Sequence, residues 1–195
     1  MSKQHITRKR GAIFCDMYGT LAFEVGYPNH PHRLQLYPWT IPTLQKVQRN
    51  NYHIVVVTNQ ANVTRGYTTQ KVLDAIFYRL HALLAMDGIY ATSFYCDSID
   101  EAHPDRKPNP GMAHKAAETL DISLTEDDNW IIGDSIKDLV FGVNAGFRNP
   151  PCFVLTGYGR GIYEYQYEKL KSEVSNVCIF TNAEAAVDSI ILEKA

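Results

Sequence analysis

The sequence predicts an α/β fold of three layers, a parallel sheet with helices on both faces. Three observations carry this. Apolar runs of strand length recur with few polar interruptions, the pattern of strands buried on both faces rather than one. Segments of helical period separate them, and strand–helix alternation at this spacing means βαβ units. The chain has 195 residues, 45% of them hydrophobic and 21% charged. That is enough to bury a core without disulfides or metals, and it reads as one domain spanning 1–195.

Residues 11–16 form a short apolar strand that ends at Asp16. Residues 22–42 break the rhythm with Pro28, Pro31, Pro38, Pro42, His30, His32 and several aromatics, and read as a flap over the strand ends. Pro42 suits a helix start, and Leu44 and Val47 share that helix's face. Residues 53–58, His-Ile-Val-Val-Val-Thr, are a β-branched strand. From Thr69 to Met86, Val72, Leu73, Ile76, Phe77, Leu80, Leu83 and Leu84 keep the helical period. Residues 97–109 form a substrate-side loop, acidic first and then basic at Arg106-Lys107. Asn109-Pro110 reads as N-cap and first residue of a helix to about Leu120. Residues 129–133 form a strand that ends at Asp134, and Ser135 caps a helix ending near Gly146. Residues 151–155 and 177–180 are two further strands.

A net charge of −2 gives no general reason to expect nucleic acid or membrane binding. No apolar run approaches the roughly 18 residues of a membrane span. The basic N-terminus, residues 1–10, lacks the apolar segment of a signal peptide. Cys15, Cys96, Cys152 and Cys178 are far apart and read as free thiols, so a cytoplasmic protein is expected. The sequence gives no sign of oligomeric state.

Binding crevices of open parallel sheets lie at the carboxyl ends of the strands, where Asp16, Thr58 and Asp134 fall. Asp16 is a nucleophile or a metal ligand. Thr58-Asn59-Gln60 offers hydroxyl and amide donors suited to phosphate oxygens. Arg106-Lys107-Pro108 sets two cations on a stiffened turn, and Asp138 lies four residues beyond Asp134. Singly, each piece has an ordinary reading as a turn, a cap or solvated surface. Together, in this order, they suit phosphoryl transfer: an oxygen-ligated Mg²⁺ to neutralise charge, an acyl phosphate on Asp16, and Lys107 and Thr58 to stabilise the equatorial oxygens.

These residues resemble the haloacid dehalogenase superfamily, mostly phosphatases with an aspartate nucleophile, over nearly the whole chain. The motifs are Asp16-Met17-Tyr18-Gly19-Thr20, Thr58, Lys107, and Gly133-Asp134 with Asp138. Residues 55–67 (Val-Val-Val-Thr-Asn-Gln-Ala-Asn-Val-Thr-Arg-Gly-Tyr) and 106–112 (Arg-Lys-Pro-Asn-Pro-Gly-Met) look like the subgroup of D-glycero-D-manno-heptose 1,7-bisphosphate phosphatase and histidinol-phosphate phosphatase. The phosphatase part of polynucleotide kinase 3′-phosphatase is similar at a greater distance. The resemblance implies a Rossmann-like sheet with no large cap domain. Asp16 would be the nucleophile, with Thr58 and Lys107 as catalytic partners. Asp16, Asp134 and the carbonyl of Tyr18 would hold Mg²⁺, with Asp138 supporting its waters. Arg106, Asn59 and Thr20 would meet a small phosphorylated substrate, best a sugar phosphate or bisphosphate, with phosphorylated amino alcohols and nucleotides behind it.

Two departures stand out. The subgroup has an aspartate two residues after the nucleophile, which protonates the leaving group and then activates water. Here it is Tyr18, and a phenol of pKa about 10 is a poor base at neutral pH. Slow hydrolysis or a long-lived aspartyl-phosphate is expected. Many relatives also carry a loop of three Cys and one His, of which only Cys96 and His103 remain, so no structural zinc is expected. His103 then reads as a loop or substrate-side residue, and His30 and His32 as ordinary flap residues or substrate contacts. Two rival readings remain. One is a degenerate, non-catalytic phosphate binder. The other is an L-2-haloacid dehalogenase, which Asp-x-Tyr-Gly-Thr-Leu also resembles, although those enzymes carry a helical cap and a Ser-rich fourth motif.

Overall fold

A computed structural model describes residues 9–193. Residues 1–8 of the basic N-terminal stretch, on which the absence of a signal segment was read, lie outside them. Six strands form one sheet: β1 (Ala12–Cys15), β2 (His53–Asn59), β3 (Ala91–Cys96), β4 (Trp130–Gly133), β5 (Cys152–Val154) and β6 (Cys178–Phe180). Their order is β3-β2-β1-β4-β5-β6 and every pairing is parallel. The chain winds outward from β1 to β3, returns to the other side of β1 at β4, and winds outward again. The reversal between β1 and β4 opens a crevice at their carboxyl ends, which is where ligands bind in such sheets.

The two-residue period of a strand sorts its side chains between two cores. Ile13, Cys15, Ile54, Val56 and Ile132 face one side, against α1 (Thr40–Arg49), α2 (Gln70–Met86) and α7 (Ala183–Leu192). Ala12, Phe14, Val55, Val57 and Ile131 face the other, against α3 (Gly111–Leu120) and α4 (Ile136–Asn144). A smaller cluster joins Phe153 of β5 to Leu139 of α4 and to Leu170 of α6 (Tyr167–Glu173). The short α5 (Gly159–Tyr165) follows β5. Helix ends match their local chemistry: Thr69 caps α2, Ser135 caps α4, and Gly146 turns the chain at φ +79° just past α4. Among the described residues, no helix is long and apolar enough to cross a membrane.

Three features differ from expectation. β3 was not anticipated. It is an edge strand, paired only with β2, and its sequence Ala-Thr-Ser-Phe-Tyr-Cys is half-exposed over five of six residues, so it lacks the apolar run that marks the central strands. Helices α5, α6 and α7 were also missed. Asn109 does not cap α3: its side-chain amide donates to the carbonyls of Glu101 and His103, bracing the preceding loop, and the helix starts at Gly111 without a side-chain cap. Within residues 22–42, Ala22 bridges Leu36 antiparallel, the Phe23 N–H donates to the Gln35 carbonyl at 2.9 Å, and a single turn of 3₁₀ helix spans Pro31–Arg33.

The strands are also tied at their starting edge. Asn129, fully buried, accepts from the Ala12 N–H at 3.0 Å and donates to the Ser123 carbonyl at 2.7 Å and the Leu124 carbonyl at 3.2 Å. Asn129→Ala leaves the buried Ala12 N–H without a side-chain acceptor and is expected to lower stability by roughly 1–3 kcal/mol, read as a shifted midpoint in urea unfolding.

Candidate active site

The crevice between β1 and β4 holds a cavity of about 260 Å³. Asp16 follows β1, its N–H donating to the Ile132 carbonyl at 3.0 Å, and Asp134 follows the neighbouring β4. Thr58 is the last residue but one of β2, on the other side of β1. Strand order alone therefore gathers the three motifs.

Lys107 joins them. Its ammonium donates to Asp16 Oδ1 at 2.5 Å and to the Val57 carbonyl at 2.7 Å, and lies 2.5 Å from Asp138 Oδ1. Its backbone is clamped by Asn59, whose amide donates to the Lys107 carbonyl and accepts from the Lys107 N–H, both at 3.0 Å. Burial alone would lower the Lys107 pKa; Asp138 and Asp16 outweigh it and hold the ammonium charged.

Asp138 has a second task. It is the third residue of α4, and its Oδ2 accepts from the Ser135 N–H at 3.0 Å and the Ser135 hydroxyl at 2.6 Å, completing a capping box. Asp134 is packed as closely. A Cβ at Gly19 (φ +83°) or at Gly157 (φ +54°) would stand 2.0 or 2.1 Å from its Oδ2, so two loops need glycine there for space as well as conformation. The Tyr158 N–H donates to the same oxygen at 2.8 Å.

Asp16, Asp134 and Asp138 are all buried, with oxygens within 4.8 Å of one another, and form the one such group among the described residues. Three carboxylates face one ammonium. Burial pushes Asp16 up to about 7, Lys107 pulls it down and Asp138 adds to the rise. Asp134 is raised well above its ordinary range by burial, Asp138 and Asp16. A buried all-oxygen donor set with charge left uncompensated fits a hard divalent cation such as Mg²⁺.

The other anticipated residues divide. Thr58 is buried on the cavity wall and accepts from Gln60 Nε2 at 3.0 Å, which leaves its hydroxyl proton for a ligand. Arg106 lines the cavity. Asn59 lines it too, but its amide is engaged on Lys107. Thr20, expected to contact substrate, is fully buried and off the wall: the turn after β1 points it into the fold. Tyr18 lines the cavity but is only 6% exposed, packs against the core beneath the flap, and its hydroxyl has no hydrogen-bond partner. Burial, and then the charge of Glu24, raise its pKa. His30 and His32 stack at 5.1 Å, and His30 caps the 3₁₀ turn. His103 Nδ1 accepts from the Asp105 N–H and sits 3.5 Å from Cys96 Sγ. None of the three histidines is on the cavity wall.

Sequence reasoning missed Gly157-Tyr158, Glu24, Tyr27, Arg65 and Lys137, all at this site. A signal existed for the first: Gly-Tyr-Gly follows the β5 run much as Gly-Thr follows β1. Tyr27 and Arg65 meet only through folding, the guanidinium 5.7 Å over the ring, linking the flap to the loop after β2.

A family model described as polynucleotide kinase 3 phosphatase matches residues 13–141. The D-glycero-beta-D-manno-heptose-1,7-bisphosphate 7-phosphatase of Mesorhizobium japonicum is 33% identical over 144 residues, 69% of this chain and 65% of that protein. Its namesake from Pasteurella multocida is 31% identical over 161 residues, 78% of this chain and 85% of that protein. Among solved structures, a putative HAD-like phosphatase from Mesorhizobium loti is 29% identical, with a TM-score of 0.68 over 80% of this chain and 77% of that one. The D,D-heptose 1,7-bisphosphate phosphatase of B. bronchiseptica, crystallised with magnesium and phosphate, shares the fold at a TM-score of 0.81, 24% identity, 95% of this chain and 99% of that one.

The raised carboxylates make metal-free stability depend on pH. A folded pKa above the unfolded value stabilises below about pH 4 and loses that contribution as pH rises through the folded value, about 7 for Asp16. In chelator, the melting temperature is expected to fall between pH 4 and 7 beyond any change in an Asp134→Asn variant, and millimolar Mg²⁺ is expected to flatten the slope in the parent; differential scanning calorimetry reads both.

Proposed function

The chain belongs to the polynucleotide kinase 3 phosphatase family, within the haloacid dehalogenase superfamily, and we propose that it is a Mg²⁺-dependent phosphatase acting through an aspartyl-phosphate on a small phosphorylated sugar, best a bisphosphate. The observation that carries this is the buried Lys107 ammonium held between Asp16 and Asp138 at the floor of the cavity, with Asp134 beside them.

An Asp16 oxygen attacks phosphorus; that bond forms as the bond to the leaving alcohol's oxygen breaks. Water then attacks the phosphorus of the acyl phosphate, releasing inorganic phosphate and regenerating Asp16. Lys107 and the Thr58 hydroxyl stabilise charge on the transferring oxygens. Asn59 fixes Lys107. Asp16, Asp134 and the Tyr18 carbonyl would hold Mg²⁺, with Asp138 supporting its waters, and the cation would offset the charge of phosphate and carboxylate together.

Tyr18 makes this phosphatase slow. A buried phenol with a raised pKa neither protonates a leaving alcohol efficiently nor activates water at neutral pH. The names of the relatives, and the further cations Arg65, Arg106 and Lys137 on the cavity wall, support a substrate with more than one phosphate. The cavity's size and a net charge of −2 favour a small molecule over a nucleic acid. Four unpaired cysteines support a reducing, cytoplasmic setting.

With Mg²⁺ the protein is expected to hydrolyse p-nitrophenyl phosphate, and Asp16→Asn to abolish it; turnover that survives that change ends the nucleophile assignment. Phosphate binding without turnover points to the degenerate binder, and chloride release from 2-chloropropionate without metal to the dehalogenase. Tyr18→Asp, checked for native circular dichroism, is expected to raise turnover by roughly 10²-fold, the low end of general acid–base catalysis. Acid-quenched parent protein is expected to retain phosphate on Asp16. A Tyr18→Asp protein no faster than its parent contradicts the assigned cause of slowness.

A further inference from the structure

In the proposed hydrolysis, the water that attacks the acyl phosphate must lose a proton, and the buried Tyr18 phenol is a poor acceptor for it. The cavity wall narrows the choice of acceptor. Among the described residues that line it there is no histidine, and its lysines and arginines are donors without a lone pair to offer. Asp16 carries the phosphoryl group in this step. Asp134 and Asp138 are gathered with Lys107 at the floor. Among the described residues of the wall, Glu24 is the one carboxylate outside that group.

Glu24 comes from the flap and is half-buried. Its Oε1 accepts from the Gly26 N–H at 2.6 Å, where the chain turns at φ +70°. One such bond leaves a carboxylate with further lone pairs for water. The segment is braced on both sides of Glu24. The Phe23 N–H donates to the Gln35 carbonyl at 2.9 Å, the Phe23 ring lies 4.2 Å from that of Tyr37, and Arg33 donates to the Val25 carbonyl at 2.9 Å. The field of Glu24 agrees with its place on the wall. Burial does most to raise the Tyr18 phenol, and of the charges acting there Glu24 comes first, ahead of Arg33 and Asp16. Glu24 also adds to the rise of Asp134, after burial, Asp138 and Asp16. The carboxylate therefore stands close to position 18 and to the floor. Asp16 meets phosphorus from that floor, so a water in line with it arrives from the opposite side, which the flap borders through Glu24, Gly26 and Tyr27.

We propose that Glu24 is the general base for hydrolysis of the aspartyl-phosphate, serving from the flap the water that the residue at position 18 does not. This rests on the phosphatase reading given above. The bond from water oxygen to phosphorus forms as the bond from phosphorus to Asp16 breaks, and the electron pair of the broken bond returns to the Asp16 carboxylate. A water proton passes to a Glu24 oxygen, and Glu24 then releases it to solvent at the cavity mouth. A base on a flap is held less firmly than one at a strand end, so the rate it restores is partial.

The probe is p-nitrophenyl phosphate, with the full chain and Mg²⁺, because nitrophenolate leaves without a proton and isolates the water step. Glu24→Gln keeps an acceptor for the Gly26 N–H and removes the base. It is expected to leave the rate of the initial nitrophenolate burst within about threefold of the parent's, to lower kcat by roughly tenfold to a hundredfold, and to raise the fraction of acid-quenched protein with phosphate on Asp16. In a Tyr18→Asp background, where the new carboxylate takes the proton, the same change is expected to lower kcat by less than about threefold. A kcat that Glu24→Gln leaves unchanged overturns the proposal. So does a burst that slows along with kcat, the mark of a residue that binds substrate or holds the flap, or a loss as large in Tyr18→Asp as in the parent. A parent that neither turns over nor takes phosphate on Asp16 ends the phosphatase reading as well. A parent that does both, beside a Glu24→Gln protein that matches it, ends this inference alone.

Discussion

The structure depends on one ammonium. Lys107 sits between Asp16 and Asp138 with a third carboxylate, Asp134, alongside, and all four groups are buried. Like charges this close oppose folding unless something offsets them. Lys107 offsets part, and the strand ends, the Asn59 clamp and the α4 capping box hold the rest in place. The same imbalance leaves the floor of the cavity, where three carboxylates meet one ammonium, short of positive charge. On the proposed phosphatase reading a bound cation would fill that deficit and admit a phosphate, so destabilisation and ligand recognition would share one electrostatic cause.

Precision in the site comes from groups that do two jobs. Asp138 starts a helix with one oxygen and meets Lys107 with the other. Gly19 and Gly157 turn their loops and, having no side chain, let Asp134 pack between them. Asn59 ends β2 and fixes the backbone of Lys107, which lies 48 residues away in the chain. A change at any of these positions alters fold and site at once.

The central architecture was legible because β1, β2 and β4 are continuous apolar runs, each leading into a polar residue of the site: Asp16, Thr58 and Asp134. The α4 cap was legible too, because it needs only a hydroxyl at the right residue, Ser135. What escaped depends on neighbours distant in sequence. β3 is a strand because β2 offers it an edge, not because Ala-Thr-Ser-Phe-Tyr-Cys is strongly apolar. Asn109 reads as a cap until the loop carbonyls of Glu101 and His103 come within reach. Thr20 carries a ligand-binding side chain that the turn after β1 directs inward. Arg106, Lys137 and Glu101 look like scattered surface charges until the α4 terminus and the loop before α3 meet.

On the proposed reading, a tyrosine at position 18 in place of an acid–base aspartate is not a local change. A carboxylate at this position would have to face the cavity and water. The phenol borders the cavity but also packs into the core beneath the flap, in the cluster that includes Leu34, Leu73 and Phe77. Its hydroxyl is left without a partner, which is the recurring penalty for placing a polar tip in an apolar site. The tyrosine therefore contributes packing at the expense of proton transfer. An aspartate here removes a buried aromatic, a loss on the scale of about 3–5 kcal/mol for large side chains, and sets a new negative charge near Glu24 and Asp16, whose fields already act at this spot. In the proposed phosphatase, stability and turnover would thus be set against each other at a single residue, and a bound cation, by relieving the crowding of carboxylates, would be the natural means by which a faster variant remained folded.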